Sequence, residues 1–217
     1  MLLCSVALPP CTVSAQAAAD ERADSAWVLQ KLARPAPMRT AFVEIRDSPL
    51  LKAPLRLSGE YQRPRDDTLV REVRAPYAET TTIRAGQATI VRAGKSPRTF
   101  SLSRVPELAR LQASFGAMLS GDRVALEKYY RVETQGTRRR WTMTLLPKDA
   151  QLAAKVRDIT LYGRGAELRC IETRPARTAK GKTGEIQRTL LAGAAREADK
   201  VTTAEELAGL CHGDAAG

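Results

Sequence analysis

Histidine occurs once in the 217 residues, and that scarcity excludes more chemistry than anything present. A Ser-His-Asp triad needs an imidazole set inside a pocket, and most zinc sites need several nitrogen or sulfur ligands together. His212 instead stands in the C-terminal tail beside Cys211. A Cys-His pair can be nucleophilic, but adjacent residues in a tail without strand pattern rarely converge on a pocket. No glycine-rich phosphate loop and no G-x-S-x-G elbow occurs. The acidic pairs Asp66-Asp67 and Glu205-Glu206 fall in a turn and at a helix start, where solvation and capping account for them. No catalytic group, no metal and no cofactor is expected, and the chain reads as a non-enzyme. Aromatics are also scarce, at 5%, and do not interleave with the basic residues as stacking platforms. With no helix-turn-helix, zinc-finger or RNA-recognition pattern, nucleic acid is not expected as a partner. No segment approaches the ~20 apolar residues of a membrane helix.

Hydrophobic residues at 43% and charged residues at 27% are enough for a packed core. The formal net charge of +11 is spread through every segment, and its best use is attraction to anionic phospholipid heads, a transient contact with a membrane surface. Residues 1–17 read as a signal peptide: Met1 to Gln16 is uncharged, Leu2 to Leu8 is apolar, and Ala15-Gln16-Ala17 is an A-x-A cleavage site. Cys11, after Leu8-Pro9-Pro10, is a poor match to a lipoprotein box. The rest, 18–217, reads as a single exported domain located in the periplasm. Cys4 and Cys11 leave with the leader, so Cys170 and Cys211 remain, and in an oxidising compartment a disulfide between them would pin the tail to a late strand.

Ser25 to Ala33 has a helical pattern ended by Pro35 and Pro37. The period then changes to two. In Met38 to Arg46, Ala41, Val43 and Ile45 oppose Thr40, Phe42 and Glu44; in Pro54 to Arg63, Leu55, Leu57, Gly59 and Tyr61 share one side. Short strands follow at Leu69 to Arg74, Glu79 to Arg84, Thr89 to Arg92 and Arg98 to Leu102, with turn signals between them. Val105 to Leu119 interrupts them with an amphipathic stripe of Leu108, Leu111, Phe115, Met118 and Leu119, and Asp122 caps a second short helix to about Tyr129. Strands resume at Arg138 to Leu146, which sets Trp141, Met143 and Leu145 on one face, then Val156 to Tyr162, Glu167 to Arg174 and Glu185 to Leu191. Gly163-Arg164-Gly165 is the expected hairpin turn. Thr178 to Gly184 is a polar loop. The tail, 192–217, is expected to be loosely attached, with Thr202 and Glu205 forming a capping box for one small helix. The fold class is therefore mainly β (α+β): an antiparallel sheet or barrel whose apolar face is covered by inserted helices. An incomplete curl would leave a pocket between sheet and helices.

As an ordered series these segments resemble the LolA-type outer-membrane lipoprotein carriers. Leu57-Ser58-Gly59-Glu60-Tyr61-Gln62-Arg63-Pro64 looks like the family's glycine-containing second strand ending in Arg-Pro. Arg71 to Pro76, Ile83-Arg84-Ala85-Gly86-Gln87, the helical insert and Trp141-Thr142-Met143-Thr144-Leu145-Leu146-Pro147 continue the likeness. The tail after Leu191 departs from the family's pattern. The resemblance implies an incomplete antiparallel β-barrel with a helical lid over a hydrophobic cavity. It implies a carrier that takes acylated lipoprotein or lipid cargo from an inner-membrane exporter, shields its acyl chains and delivers it to an outer-membrane acceptor, working as a monomer. Arg63 matches the family arginine that holds the lid closed. The expected cavity lining is Phe42, Leu57, Tyr61, Leu111, Phe115, Met118, Trp141, Met143 and Leu145. Taken singly, each of these is explained as core. Two alternatives stay open: a lipid-sensing adaptor that regulates a membrane partner, and a carrier of another lipid such as a polyene product.

Overall fold

Eleven strands form one sheet in which every neighbour pairing is antiparallel. The computed structural model describes residues 21–46, 55–104, 116–177 and 185–213. The strands are β1 (Met38–Arg46), β2 (Leu55–Arg65), β3 (Thr68–Ala75), β4 (Glu79–Arg84), β5 (Gln87–Arg92), β6 (Arg98–Ser101), β7 (Tyr130–Gly136), β8 (Trp141–Pro147), β9 (Val156–Arg164), β10 (Glu167–Pro175) and β11 (Gln187–Leu191). Their order is β6-β5-β4-β3-β2-β1-β11-β10-β9-β8-β7. Two meanders are thus sealed along one seam, β1 against β11, with Phe42 opposite Leu191 and Val43 opposite Leu190. β6 and β7 lie at opposite edges, so the sheet does not close, and the chain between them must pass from one edge to the other. This is the antiparallel sheet with helices that the alternating pattern implied, and the incomplete barrel that the resemblance implied.

Side chains alternate across the sheet, so each face acquires its own cover. Helix α1 (Ser25–Leu32) begins where the Asp24 carboxylate accepts from the Trp27 amide at 2.8 Å. It buries Val28, Leu29 and Leu32 with Met118, Tyr130, Trp141, Met143, Leu145 and Leu161 on one face. Helix α2 (Arg123–Tyr129), capped by Asp122, buries Leu126 in the same cluster. A short helix α3 (Ala150–Ala153) adds Leu152.

The opposite face carries Val43, Ile45, Cys170 and Leu190, and the C-terminal segment covers them. This corrects the loosely attached tail expected from sequence. Helices α4 (Ala192–Glu197) and α5 (Ala204–His212) bury Ala194, Ala195, Leu207 and Cys211 there, and Ala198, just after α4, joins them. Cys170 in β10 and Cys211 in α5 form a disulfide. The capping box of α5 is Thr203 with Glu206, one residue later than expected.

Other differences have local causes. β7 was not foreseen, although Tyr130, Val132 and Thr134 alternate with Arg131, Glu133 and Gln135. Gly163 is a strand residue opposite Trp141, and the β9–β10 turn falls at Gly165 and Ala166. Of the stretch Val105 to Leu119, the described residues from 116 onward are helical; Leu111 and Phe115 lie outside the described residues.

Candidate functional site: an apolar cavity under a helical cover

A cavity of about 490 Å³ lies between the sheet and its helical cover. Small-molecule sites commonly measure ~300–1,000 Å³ and are mostly apolar with a few polar groups. The cover contributes Leu32 at the end of α1 and Met118 and Leu119 from the helical residues 116–120. The floor is built from the seam outward: Met38 and Thr40 on β1, Tyr61 and Arg63 on β2, Leu69 on β3, Leu168 and Ile171 on β10, and Leu191 on β11. Arg34, Gln62, Arg164, Ala166, Glu167 and Ala192 complete the lining.

Leu168 and Ile171 stand three apart, which strict alternation would place on opposite faces. A register shift in the β9–β10 ladder between Leu168 and Cys170 brings both to the cavity. That irregularity is invisible in a period-two reading. Arg34 and Arg164 carry no local signal either; only the fold brings the end of α1 to the β9–β10 hairpin.

The seven residues of the expected lining that are described divide three ways. Tyr61 and Met118 line the cavity. Phe42 and Leu57 do not; they are fully buried with Val73 and Leu191, with the Tyr61 ring 4.9 Å from that of Phe42. Trp141, Met143 and Leu145 belong instead to the buried core cluster that includes Val28, Leu29 and Leu32 of α1. The indole nitrogen of Trp141 donates to the Gly165 carbonyl at 2.9 Å. Beside the cavity, Arg71 places its guanidinium 4.7 Å from the Phe42 ring centre and pairs with the buried Glu44 at 3.2 Å.

Arg63 is 7% exposed although charged. It donates to the Arg34 carbonyl at 2.7 Å and pairs with Asp66 at 2.9 Å. The Arg34 amide in turn donates to the Leu119 carbonyl at 3.0 Å. Arg63 therefore touches the cover through one intervening peptide: β2 holds residue 34, and residue 34 holds the end of the 116–120 helix. Ordering a buried guanidinium on a main-chain carbonyl is a charge-assisted bond.

Across the sheet, Glu172, Cys211 and His212 stand close enough to suggest a metal site. The Cys211 sulfur is already spent in the disulfide. Glu172 accepts from His212 at 3.0 Å and from Arg188 at 2.7 Å, and pairs with Arg174 at 2.6 Å. Burial pushes its carboxyl up, but the His212 hydrogen bond and the Arg188 and Arg174 charges outweigh that and hold it below the usual range. This is a structural knot rather than a reactive group. Among the described residues no helix is long and apolar enough to cross a membrane.

Residues 17–215 match the family described as outer membrane lipoprotein carrier protein LolA-like. Solved structures similar to this chain include that of a LolA superfamily protein from Nitrosomonas europaea. It is 12% identical, with a TM-score of 0.37, over 83% of this chain and 92% of that one. No curated protein matches. With the family match spanning nearly the whole sequence, the chain belongs to the LolA-like family of outer membrane lipoprotein carriers.

Proposed function

We propose that this protein is a periplasmic carrier that shields the acyl chains of a lipoprotein or lipid during transfer from inner to outer membrane. The observation that carries the reading is the apolar cavity held open between an unclosed sheet and its helical cover. A packed core would leave no such space. Each buried methylene gains ~0.8 kcal/mol, so about eight of them give roughly 6 kcal/mol, a dissociation constant on the order of 10 μM. That is tight enough to hold cargo and weak enough to surrender it.

No chemistry is required of the protein: it binds, excludes water and releases. Residues 1–17 serve as the export signal, and the monomer meets an inner-membrane donor and an outer-membrane acceptor in turn. The net charge of +11 favours brief contact with anionic membranes. Release requires the cover to move, and the Arg63–Arg34–Leu119 relay is the contact that opening must break.

The test is titration of the full chain with a fluorescent fatty-acyl probe, together with native mass spectrometry of protein purified without detergent. Leu69→Glu and Leu168→Glu, each at a half-buried lining position, should weaken probe binding at least tenfold while leaving the circular dichroism spectrum intact. Absence of uptake by the unaltered protein would remove the carrier reading. Stable capture of a membrane-protein domain by the lipid-free protein would then favour the adaptor.

A further inference from the structure

Arginines across the sheet's surface are mostly matched to carboxylates: Arg74 to Glu72 and Glu60, Arg84 to Asp67, Arg92 to Glu79, Arg188 to Glu172. Two exposed arginines at the C-terminal end of α5 depart from that habit. Arg140, just before β8, donates to the Gly213 carbonyl at 3.1 Å and so caps the helix. Arg164, the last residue of β9, borders the cavity, but its guanidinium turns to the face covered by α5. There it has no side-chain hydrogen bond or ion pair among the described residues. A Cβ built on Gly213 would stand 3.5 Å from the guanidinium carbon of Arg140 and 3.5 Å from a guanidinium nitrogen of Arg164. The two cations thus face one gap. A pocket of about 90 Å³, the room of roughly three waters, is lined there by both arginines with Thr142, Arg169, His212 and Gly213. The carboxylates that meet this lining are engaged: Glu197 with Arg169 at 2.5 Å and Glu172 with His212 at 3.0 Å.

We propose that Arg140 and Arg164 bind a phosphate group at the C-terminal end of α5. Two like charges converging on one gap repel each other unless an anion lies between them. A tetrahedral oxyanion suits the gap because it offers several acceptor oxygens to two planar donor forks. The Gly213 carbonyl engages only one nitrogen of Arg140, and the Arg164 fork is unused. The pocket has no room for an acyl chain, so this site is separate from the apolar cavity and goes beyond the carrier reading.

The experiment is calorimetric titration of the full chain with inorganic phosphate in chloride buffer, beside flotation with vesicles of phosphatidylglycerol and of phosphatidylcholine. Phosphate should bind one to one, and more weakly as salt is added. Arg164→Gln, which leaves the Arg140 cap of α5 in place, should weaken it about tenfold, the scale of one lost charge-assisted hydrogen bond. Arg164→Lys should recover part of that loss. Flotation with phosphatidylglycerol alone, reduced by Arg164→Gln and by free phosphate, assigns the site to a lipid headgroup. Phosphate binding without such flotation assigns it to the free ion. Failure of phosphate to bind overturns the proposal, as does an isotherm that Arg164→Gln leaves unchanged. Binding that emerges only in Asp214→Asn overturns it too, because the acidic residue after Gly213 would then be the anion the arginines hold.

Discussion

Gly163 shows how one missing carbon places a large side chain. A Cβ on it would lie 1.9 Å from Cζ2 of Trp141. The indole therefore lies flat over the strand opposite, reaching the Gly165 carbonyl while its body joins the α1 core. Gly163→Ala should force the ring off its site and cost about 1–3 kcal/mol, the usual scale of overpacking. The denaturant midpoint measures this, and a shift in near-ultraviolet circular dichroism should accompany it. An unchanged midpoint would mean that the indole relocates freely. The Trp-containing strand was legible in sequence, since Trp141, Met143 and Leu145 alternate cleanly. Its destination was not. Periodicity says which residues share a face but not what covers that face, and here α1 makes it core rather than cavity.

Among elements, the C-terminal segment gains most from contacts remote in sequence. Glu172 on β10 draws together Arg188 of β11 and His212 of α5, and the adjacent Cys211 is bonded to Cys170. The folded Glu172 carboxyl titrates below its ordinary value near 4.5, so the unfolded chain binds the proton more readily. Its contribution to stability is therefore full above about pH 4.5 and disappears as the pH falls through the lower folded value. Urea midpoints of wild type and Glu172→Gln should differ most near pH 7 and converge toward pH 3. A constant difference over that range would assign the effect to shape rather than charge. Of this attachment the tail's own sequence offers only the cysteine and a capping box; the Glu172 contacts and the covering face are not visible in its short alanine-rich stretches. The helices exist because Val43, Ile45 and Leu190 present an apolar face that needs cover. By contrast α1, with its helical pattern and stopping prolines, was readable from local signals alone.

At the scale of the whole molecule, ten of the eleven strands and their antiparallel character followed from alternation and turn residues, but β7 and the seam did not. Nothing in 38–46 or 187–191 announces that they are neighbours; the pairing follows from the two meanders each needing an edge covered. That seam also sets an order in time. Phe42 cannot meet Leu191 until almost the entire polypeptide has emerged, whether from the ribosome or across a membrane. Until then the first meander waits with its β1 edge bare, and pairings this distant in sequence form slowly. Chains ended before Gln187 should therefore aggregate on dilution from denaturant, as light scattering would record, while the full chain refolds. The longest wait in this protein's assembly is built into the place where its first strand finds its last.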